Sequence, residues 1–448
     1  METILLPEAR IPLIVKADVV VVGAGPAGVA AAIQAAREGA STALVERFGS
    51  PGGMMTNGLM SVTVGGSLGE LQTEIFQRLH SGGHIVNPLE RDPRLSSNPL
   101  FHYFGPNIMK GRKTASEIHV FDPHMTSIFM NEMLEESGVQ LCLGTLFVDA
   151  KVEGQGIEAV VVENVSGRQA IGGKVFVDAT GHGVLAARCG VPCRSAGSSS
   201  GPIIPPGLMW KMSHVDLDRL FEYQKEDPFL EGPIERASAD GKLPHYRPKR
   251  MDIYGGAYSG QPRPEMCPTP YPGEVLLWAS APHEWRLNCA ESAGDLNRAE
   301  LALRKHILGE SIFLARYVPG FEKAYVTGIA PMMGIREGRL PEGEYVMRYE
   351  DIRDQRRFED AVLHRRSLDW FDTAQGSRML SFDVPYRSFI AREIGNLLLA
   401  GDNISMAHEA LLHMRGLGWA MRTGEIAGIS AARSLKSGVS PKELKWTA

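Results

Sequence analysis

The sequence predicts an α/β fold: a parallel sheet flanked by helices and interrupted by an inserted α+β domain. Three observations predict it. Val19 to Val22 is an unbroken β-branched run that ends in Gly23-Ala24-Gly25-Pro26-Ala27-Gly28. Two later apolar runs, Val175 to Val177 and Leu397 to Leu399, also stop at small residues, Ala179-Thr180-Gly181 and Ala400-Gly401-Asp402. Between these two runs, from about Ser195, the composition turns Ser/Gly/Pro-rich and then resumes with a different pattern of strands and one long helix. Continuous apolar runs of this kind belong to strands buried on both faces.

The first run opens a dinucleotide-binding βαβ unit. Gly23 makes the tight turn, Gly25 lets backbone approach a pyrophosphate, and Gly28 lets the helix pack on the strand. Pro26 and Ala27 lead into an Ala-rich helix, Val29 to Gly39, whose N-terminal N–H groups face phosphate. Ser41 to Val45 is the second strand. Glu46 ends it about 20 residues past the glycines, where a carboxylate binds ribose hydroxyls. That acid repels a 2′-phosphate, which favours FAD or NAD over NADP. The chain then continues as Arg47-Phe48-Gly49-Ser50-Pro51-Gly52-Gly53-Met54-Met55. An NAD domain would turn into its next helix here; this Gly-rich loop is suited to passing close to a bound cofactor.

Taken together, these three segments resemble the glutathione-reductase-type FAD fold, and nearly the whole chain is similar to the broad FAD-dependent oxidoreductase family. Further similar stretches are Phe121-Asp122-Pro123, Val318-Pro319-Gly320-Phe321-Glu322, Gly334-Ile335-Arg336-Glu337, Val384-Pro385-Tyr386-Arg387-Ser388 and Ser405-Met406-Ala407-His408-Glu409-Ala410. The resemblance implies an FAD/NAD(P)-binding Rossmann-like three-layer ββα domain with an inserted α+β substrate domain. It implies FAD held by Gly23, Gly25, Pro26, Ala27, Gly28, Glu46, Arg47, Gly52, Gly53, Met54, Met55, Phe147, Ala179, Thr180, Gly181, Gly401 and Asp402. It also places Gly416, Leu417, Gly418 and Trp419 at the start of a helix facing the pyrimidine edge of the flavin. Departures from the family pattern fall at His182-Gly183-Val184, Gly338 to Leu340 and Leu411-Leu412-His413-Met414. They lie where flavin and substrate should meet.

The remaining elements follow in order. Ser61 to Val64 and Gly69 to Leu79 read as strand and helix, without the second strand and acid of a nucleotide site. Residues 61–118 are expected over the active site, and 81–118, rich in Gly, Pro, Asn and His, read as loops. Pro123 to Ser137 is a helix with apolar residues at helical spacing. Val139 to Ala170 reads as a small antiparallel meander. Glu274 to Ala281 suggests sheet, Asp295 to Ala315 is an amphipathic helix, and Gly418 to Leu435 is the closing helix. The expected domains are 1–195 (FAD), 196–325 (inserted substrate or cap domain) and 326–448 (FAD again).

Composition narrows the function. A net charge of −5 and no long basic run argue against nucleic acid. No stretch of 18 apolar residues is present, and no signal segment precedes the first strand, so the expectation is a cytoplasmic protein without a membrane span. Five scattered cysteines without C-x-x-C give neither a disulfide framework nor a redox disulfide, and the histidines show no metal spacing. Only one Gly-rich βαβ unit carries its acid, so a built-in NAD(P)H domain is not expected. Electrons come from or pass to substrate, oxygen, a quinone, a separate reductase, or NAD(P)H bound without its own domain. The sequence leaves these open, and the oligomeric state with them.

The expected activity is hydride transfer between a small polar or anionic organic substrate and flavin N5. The alternatives are an oxidase or monooxygenase using oxygen, and a non-enzymatic flavin-fold protein. Arg336, Arg387 and Arg415 are the candidate anion binders, since a guanidinium fork matches a carboxylate. Protein acids such as Glu337 and Glu409 are the competing partners. His408 and His413 are the candidate proton acceptors.

The flavin is expected to be non-covalent. Family members that tether it use a histidine shortly before the Gly-Gly of the loop, and Phe48, Gly49, Ser50 and Pro51 fill that stretch here. Acid precipitation releases all yellow colour into the supernatant on this reading; colour kept in the pellet contradicts it.

Overall fold

The structure is a computed structural model that describes residues 10–64, 69–101, 118–195, 204–241, 264–282, 285–368 and 378–446. Strand Leu13–Val22 lies at the centre of the main sheet. Thr42–Val45 and then Gln140–Cys142 pair parallel on one side. Gly167–Asp178 pairs parallel on the other. The outer edge of that long strand is shared. Its last residues pair parallel with Leu397–Leu399, and its first half pairs antiparallel with Gly156–Asn164, which continues to Leu146–Glu153.

This arrangement makes the three layers. The helices Pro26–Arg37, Pro123–Glu136 and Leu417–Ser437 share one core with Val19, Val21, Val175 and Val177. Alternate residues of the same strands, Val20, Val22 and Phe176, face Val160, Val162 and Ile171 of the meander. Burial on both faces is what the unbroken valine run requires. Phe147, expected at the cofactor, is buried in this second layer and lies opposite Val162.

The inserted unit is a four-stranded antiparallel sheet in the order Met266–Pro268, Val275–Ser280, Gly207–Ser213, Tyr325–Ile329. Helix Ala293–Tyr317 covers it, burying Ala299, Leu303, Ile307, Phe313 and Leu314. Its edge strand Tyr325–Ile329 starts where the sequence places the domain boundary, so the sheet runs past it. Residues 81–101 differ from the expected loops. Ile85–Val86 pairs with Ile118–Phe121, Pro88–Arg91 is a helical turn capped by the Asn87 side chain, and Leu89, Leu95, Leu100 and Phe101 are buried in the second core. Their apolar positions follow neither helical nor strand period, so the Gly, Pro and Asn content dominated the reading. Residues 102–117 lie outside the described residues. A two-stranded ribbon, Ala361–Leu368 with Met379–Pro385, was not anticipated as an element.

The closing helix packs backbone to backbone on the first. A Cβ at Gly424 would sit 2.0 Å from the Ala27 carbonyl oxygen, and one at Gly428 would sit 2.2 Å from that of Ala31. Neither carbonyl can move without breaking the first helix. Gly424→Ala gains roughly 1 kcal/mol of helix propensity yet forces the helices apart. The expected result is a net loss of stability of about 1–3 kcal/mol, read from the denaturant midpoint, and lower flavin content. An unchanged midpoint refutes this packing.

Candidate functional site

Four strands end level. Val22 is in register with Val45 and with Asp178, and Asp178 with Leu399. The residues that follow, Gly23, Glu46, Ala179 and Ala400, therefore open on one edge, the carboxyl edge, where α/β sheets bind ligands. Backbone bonds lock the exits: Gly23 N–H to Val45, Ala179 N–H to Val22, and Ala400 N–H to Asp178.

Gly23 has φ +96° and lies against the Ala179 carbonyl. Gly28 fits only because a Cβ there would overlap the Gly23 oxygen at 1.7 Å. Gly25 caps the first helix, with no side-chain cap and no acid in the first turn. Nothing lies within 4 Å of a Cβ built at Gly25. Free N-terminal amides beside open space suit a pyrophosphate. Glu46 is buried, and its carboxylate accepts the Ala24 N–H at 2.7 Å and the Phe48 N–H at 2.9 Å. It thereby joins the phosphate turn to the loop that follows. Arg47 at that loop's start is exposed and lies over the Phe48 ring.

That loop then folds back. Gly52 donates its N–H to the Ala24 carbonyl, and Gly53 packs against Gly25 Cα. Met55 is buried in the core, whereas Met54 is partly exposed and touches Gly334. Asp178 is fully buried and accepts from Thr180 N–H and hydroxyl, Ala186 N–H and the Asn403 amide. Burial pushes its pKa up against these bonds. Asn403, which sequence reasoning missed, also accepts the Gly183 N–H, so it ties the end of one parallel strand to the next. Beyond Gly181 stands His182, whose buried Nδ1 has no hydrogen-bond partner among the described residues. Burial, with Arg47 and Arg339 nearby, lowers its pKa to about 4.

Asp402 supplies the plainest vacancy in the hydrogen bonding. Its Oδ1 is buried and has no partner among the described residues. A buried carboxylate oxygen without a donor costs free energy, and a hydroxyl of a bound ligand satisfies it. Burial raises the Asp402 pKa, while Arg415 and Arg365 oppose the rise through space. The residues thus fit FAD: amides for its pyrophosphate, Glu46 for ribose, Asp402 for a ribityl hydroxyl.

The candidate arginines do not converge. Arg387 donates two bonds to Asp360, at 2.9 and 3.1 Å, and is about 50% exposed. Arg336 donates to the Pro205 carbonyl and packs against Gly207. Arg415 forms no salt bridge among the described residues. Arg365, missed by sequence reasoning, lies beside it. Its guanidinium donates to the carbonyls of His413 at 2.6 Å and Arg415 at 3.2 Å, and stacks on Trp419 at 4.4 Å. Burial lowers its pKa to about 10. A signal was available: Leu363, Arg365 and Ser367 alternate with exposed His364 and Arg366 at strand period.

The two histidines differ. His413 is fully buried, stacked on Tyr349 and 3.3 Å from the Ser367 hydroxyl. His408 Nδ1 lies 2.5 Å from Glu337. The closing helix starts at Leu417 with Gly416 (φ +125°) as its cap, beside open space, while Gly418 packs on Gln72.

The family comparison agrees with FAD as the cofactor. The family model described as "FAD dependent oxidoreductase" matches residues 18–448. A curated relative from Escherichia coli (strain K12), "Probable electron transfer flavoprotein-quinone oxidoreductase YgcN", is 30% identical over 205 residues. That match spans 44% of this chain and 44% of the relative, less than half of either. Similar solved structures include a geranylgeranyl bacteriochlorophyll reductase-like protein from Thermoplasma acidophilum. It is 14% identical with a TM-score of 0.49, covering 95% of this chain and 80% of that one. Another is p-nitrophenol 4-monooxygenase PnpA from Pseudomonas putida DLL-E4. It is 10% identical with a TM-score of 0.47, covering 96% and 83%. Among the described residues, no helix is long and apolar enough to cross a membrane.

Glu46→Ala removes one ribose acceptor and leaves two backbone N–H groups unpaired. FAD affinity is expected to fall by about 1.5–3 kcal/mol, measured by fluorescence titration of the stripped protein. Undiminished affinity excludes Glu46 from the ribose site.

Proposed function

The chain belongs to the FAD dependent oxidoreductase family, and from that premise we propose that it exchanges a hydride between a small polar or anionic organic substrate and its bound FAD. Bound FAD supplies a two-electron acceptor and donor at its N5. Gly25, the amides after Pro26, Glu46 and Asp402 would hold it. The chain's own residues bind the substrate, orient it and handle its proton.

The carrying observation is the state of Arg415. Arg387 is satisfied by Asp360 and Arg336 bonds a main-chain carbonyl, but Arg415 reaches Asp402 only through space. A half-buried arginine with no bonded acid among the described residues supports an anionic ligand. Arg365 supports the same reading, because it fixes the main chain on both sides of Met414 and so fixes where the Arg415 side chain starts. The expected oxidase alternative is the second reading, and nothing among these contacts favours it.

Electrons leave to or arrive from a separate carrier on this reading. The absence of a second Gly-rich βαβ unit in the sequence supports that, as does the name of the curated relative.

Arg415→Met tests the assignment. FAD content and reduction by dithionite are expected to stay normal, while substrate-driven flavin reduction falls roughly 10- to 150-fold, the loss of one charge-assisted bond. A normal rate with small organic anions removes Arg415 from the substrate site.

A further inference from the structure

We propose that His408, held by Glu337, accepts the substrate proton, and that the substrate is a hydroxycarboxylate whose alcohol is oxidised to a carbonyl. The proposal rests on the reading of Arg415 as the carboxylate binder. It adds the group that completes the chemistry.

The geometry begins with the pair itself. Glu337 is 1% exposed and the His408 side chain 15%. The 2.5 Å contact is from Nδ1 to Oε1, and the second carboxylate oxygen faces the Ile204 N–H. Nδ1–H therefore donates to the carboxylate, and the Nε2 lone pair remains for a proton. The residues flanking Glu337 touch two segments of the cofactor cradle. Gly334, three residues before Glu337, touches Met54 of the flavin loop. Gly338, one residue after it, packs against His182 just beyond the Ala179-Thr180-Gly181 strand end. His408 follows Asp402 in the chain. His413 has no such access: it is fully buried against Tyr349.

The step balances. The alcohol C–H bond breaks, and its hydrogen leaves with the electron pair to bound FAD. The O–H proton passes to His408 Nε2, and the O–H electron pair closes the C=O bond. The alcohol loses two electrons and FAD gains two. A neutral alcohol has one proton to shed. An ammonium also sheds one, but it leaves a cationic iminium, which the neighbouring Arg415 and Arg365 guanidiniums disfavour.

Glu337 and Glu409 are the charged groups that act on His408. Contact with Glu337, the largest influence, raises its pKa against the opposing effect of burial. The base works in its neutral form, so the rate falls as pH drops through this raised pKa. Removing the Glu337 charge moves that acid limb to lower pH.

The test uses the full FAD-loaded chain under anaerobic conditions. It is mixed with 2- and 3-hydroxycarboxylates and their amino-acid counterparts, and loss of flavin colour is followed against pH. At least one hydroxycarboxylate is expected to bleach the wild type. His408→Gln should slow bleaching by about 10²–10⁴-fold with little change in half-saturating concentration. Glu337→Gln should shift the acid limb downward, and Glu337→Asp should restore part of it. Should His408→Gln fail to hold FAD, the two Glu337 variants decide, since they keep the imidazole. A wild-type rate in His408→Gln, or an unmoved limb in Glu337→Gln, overturns the pair. Bleaching by amino acids alone, or by no member of the panel, overturns the substrate class. Slow His408→Gln with normal Arg415→Met means that the anion reading has failed and the pair stands; the reverse pattern overturns the pair alone.

Discussion

Everything at the site depends on how closely two helices approach. Gly424 and Gly428 let the closing helix lie directly on the main chain of the first helix at Ala27 and Ala31. That contact carries a segment about 400 residues distant in sequence to the phosphate turn. Gly401, beside Ala27, donates its N–H to Thr423 of the closing helix, so Asp402 is fixed by the same contact. The level strand ends put Glu46 and Asp402 on one edge, and the helix contact fixes the turn at Asp402 against the phosphate turn.

The electrostatics of the site follow from that packing. Asp178 is buried but supplied with donors from three elements, so it serves as a structural knot between strand ends. The buried Oδ1 of Asp402 has no donor among the described residues, which leaves it open to a ligand hydroxyl. Arg365 and Arg415 then offset its charge at a distance, Arg365 with its guanidinium committed to main-chain carbonyls. A cation spent on carbonyls stabilises the loop before the closing helix without neutralising the site.

The sheet and its glycine turn were legible because each rests on a local rule. A valine run followed by glycines specifies a strand and its turn wherever it occurs, and the level strand ends follow from parallel pairing. Side-chain partnerships were not legible. Arg387 lies within a family-like stretch, yet Asp360, from the turn before the ribbon, draws it outward. Arg365 lies on a ribbon whose alternation is short and stands between His364 and Arg366, so it resembled part of a solvated strand. Glu337 was weighed as a partner for arginine, and His408 takes it instead. Such pairings are set by which elements the fold brings together, and no local pattern encodes them.

The central claim is that the four strand exits and the segment 401–419 form one cradle completed by FAD. Hydrogen exchange measured with FAD bound and after its removal tests it most directly. Amides at 23–28, 46–55, 179–183 and 401–419 are predicted to lose protection together on stripping, while strands Gly207–Ser213 and Val275–Ser280 keep theirs. Unchanged protection in those four segments, or losses centred on the inserted sheet, would contradict the account.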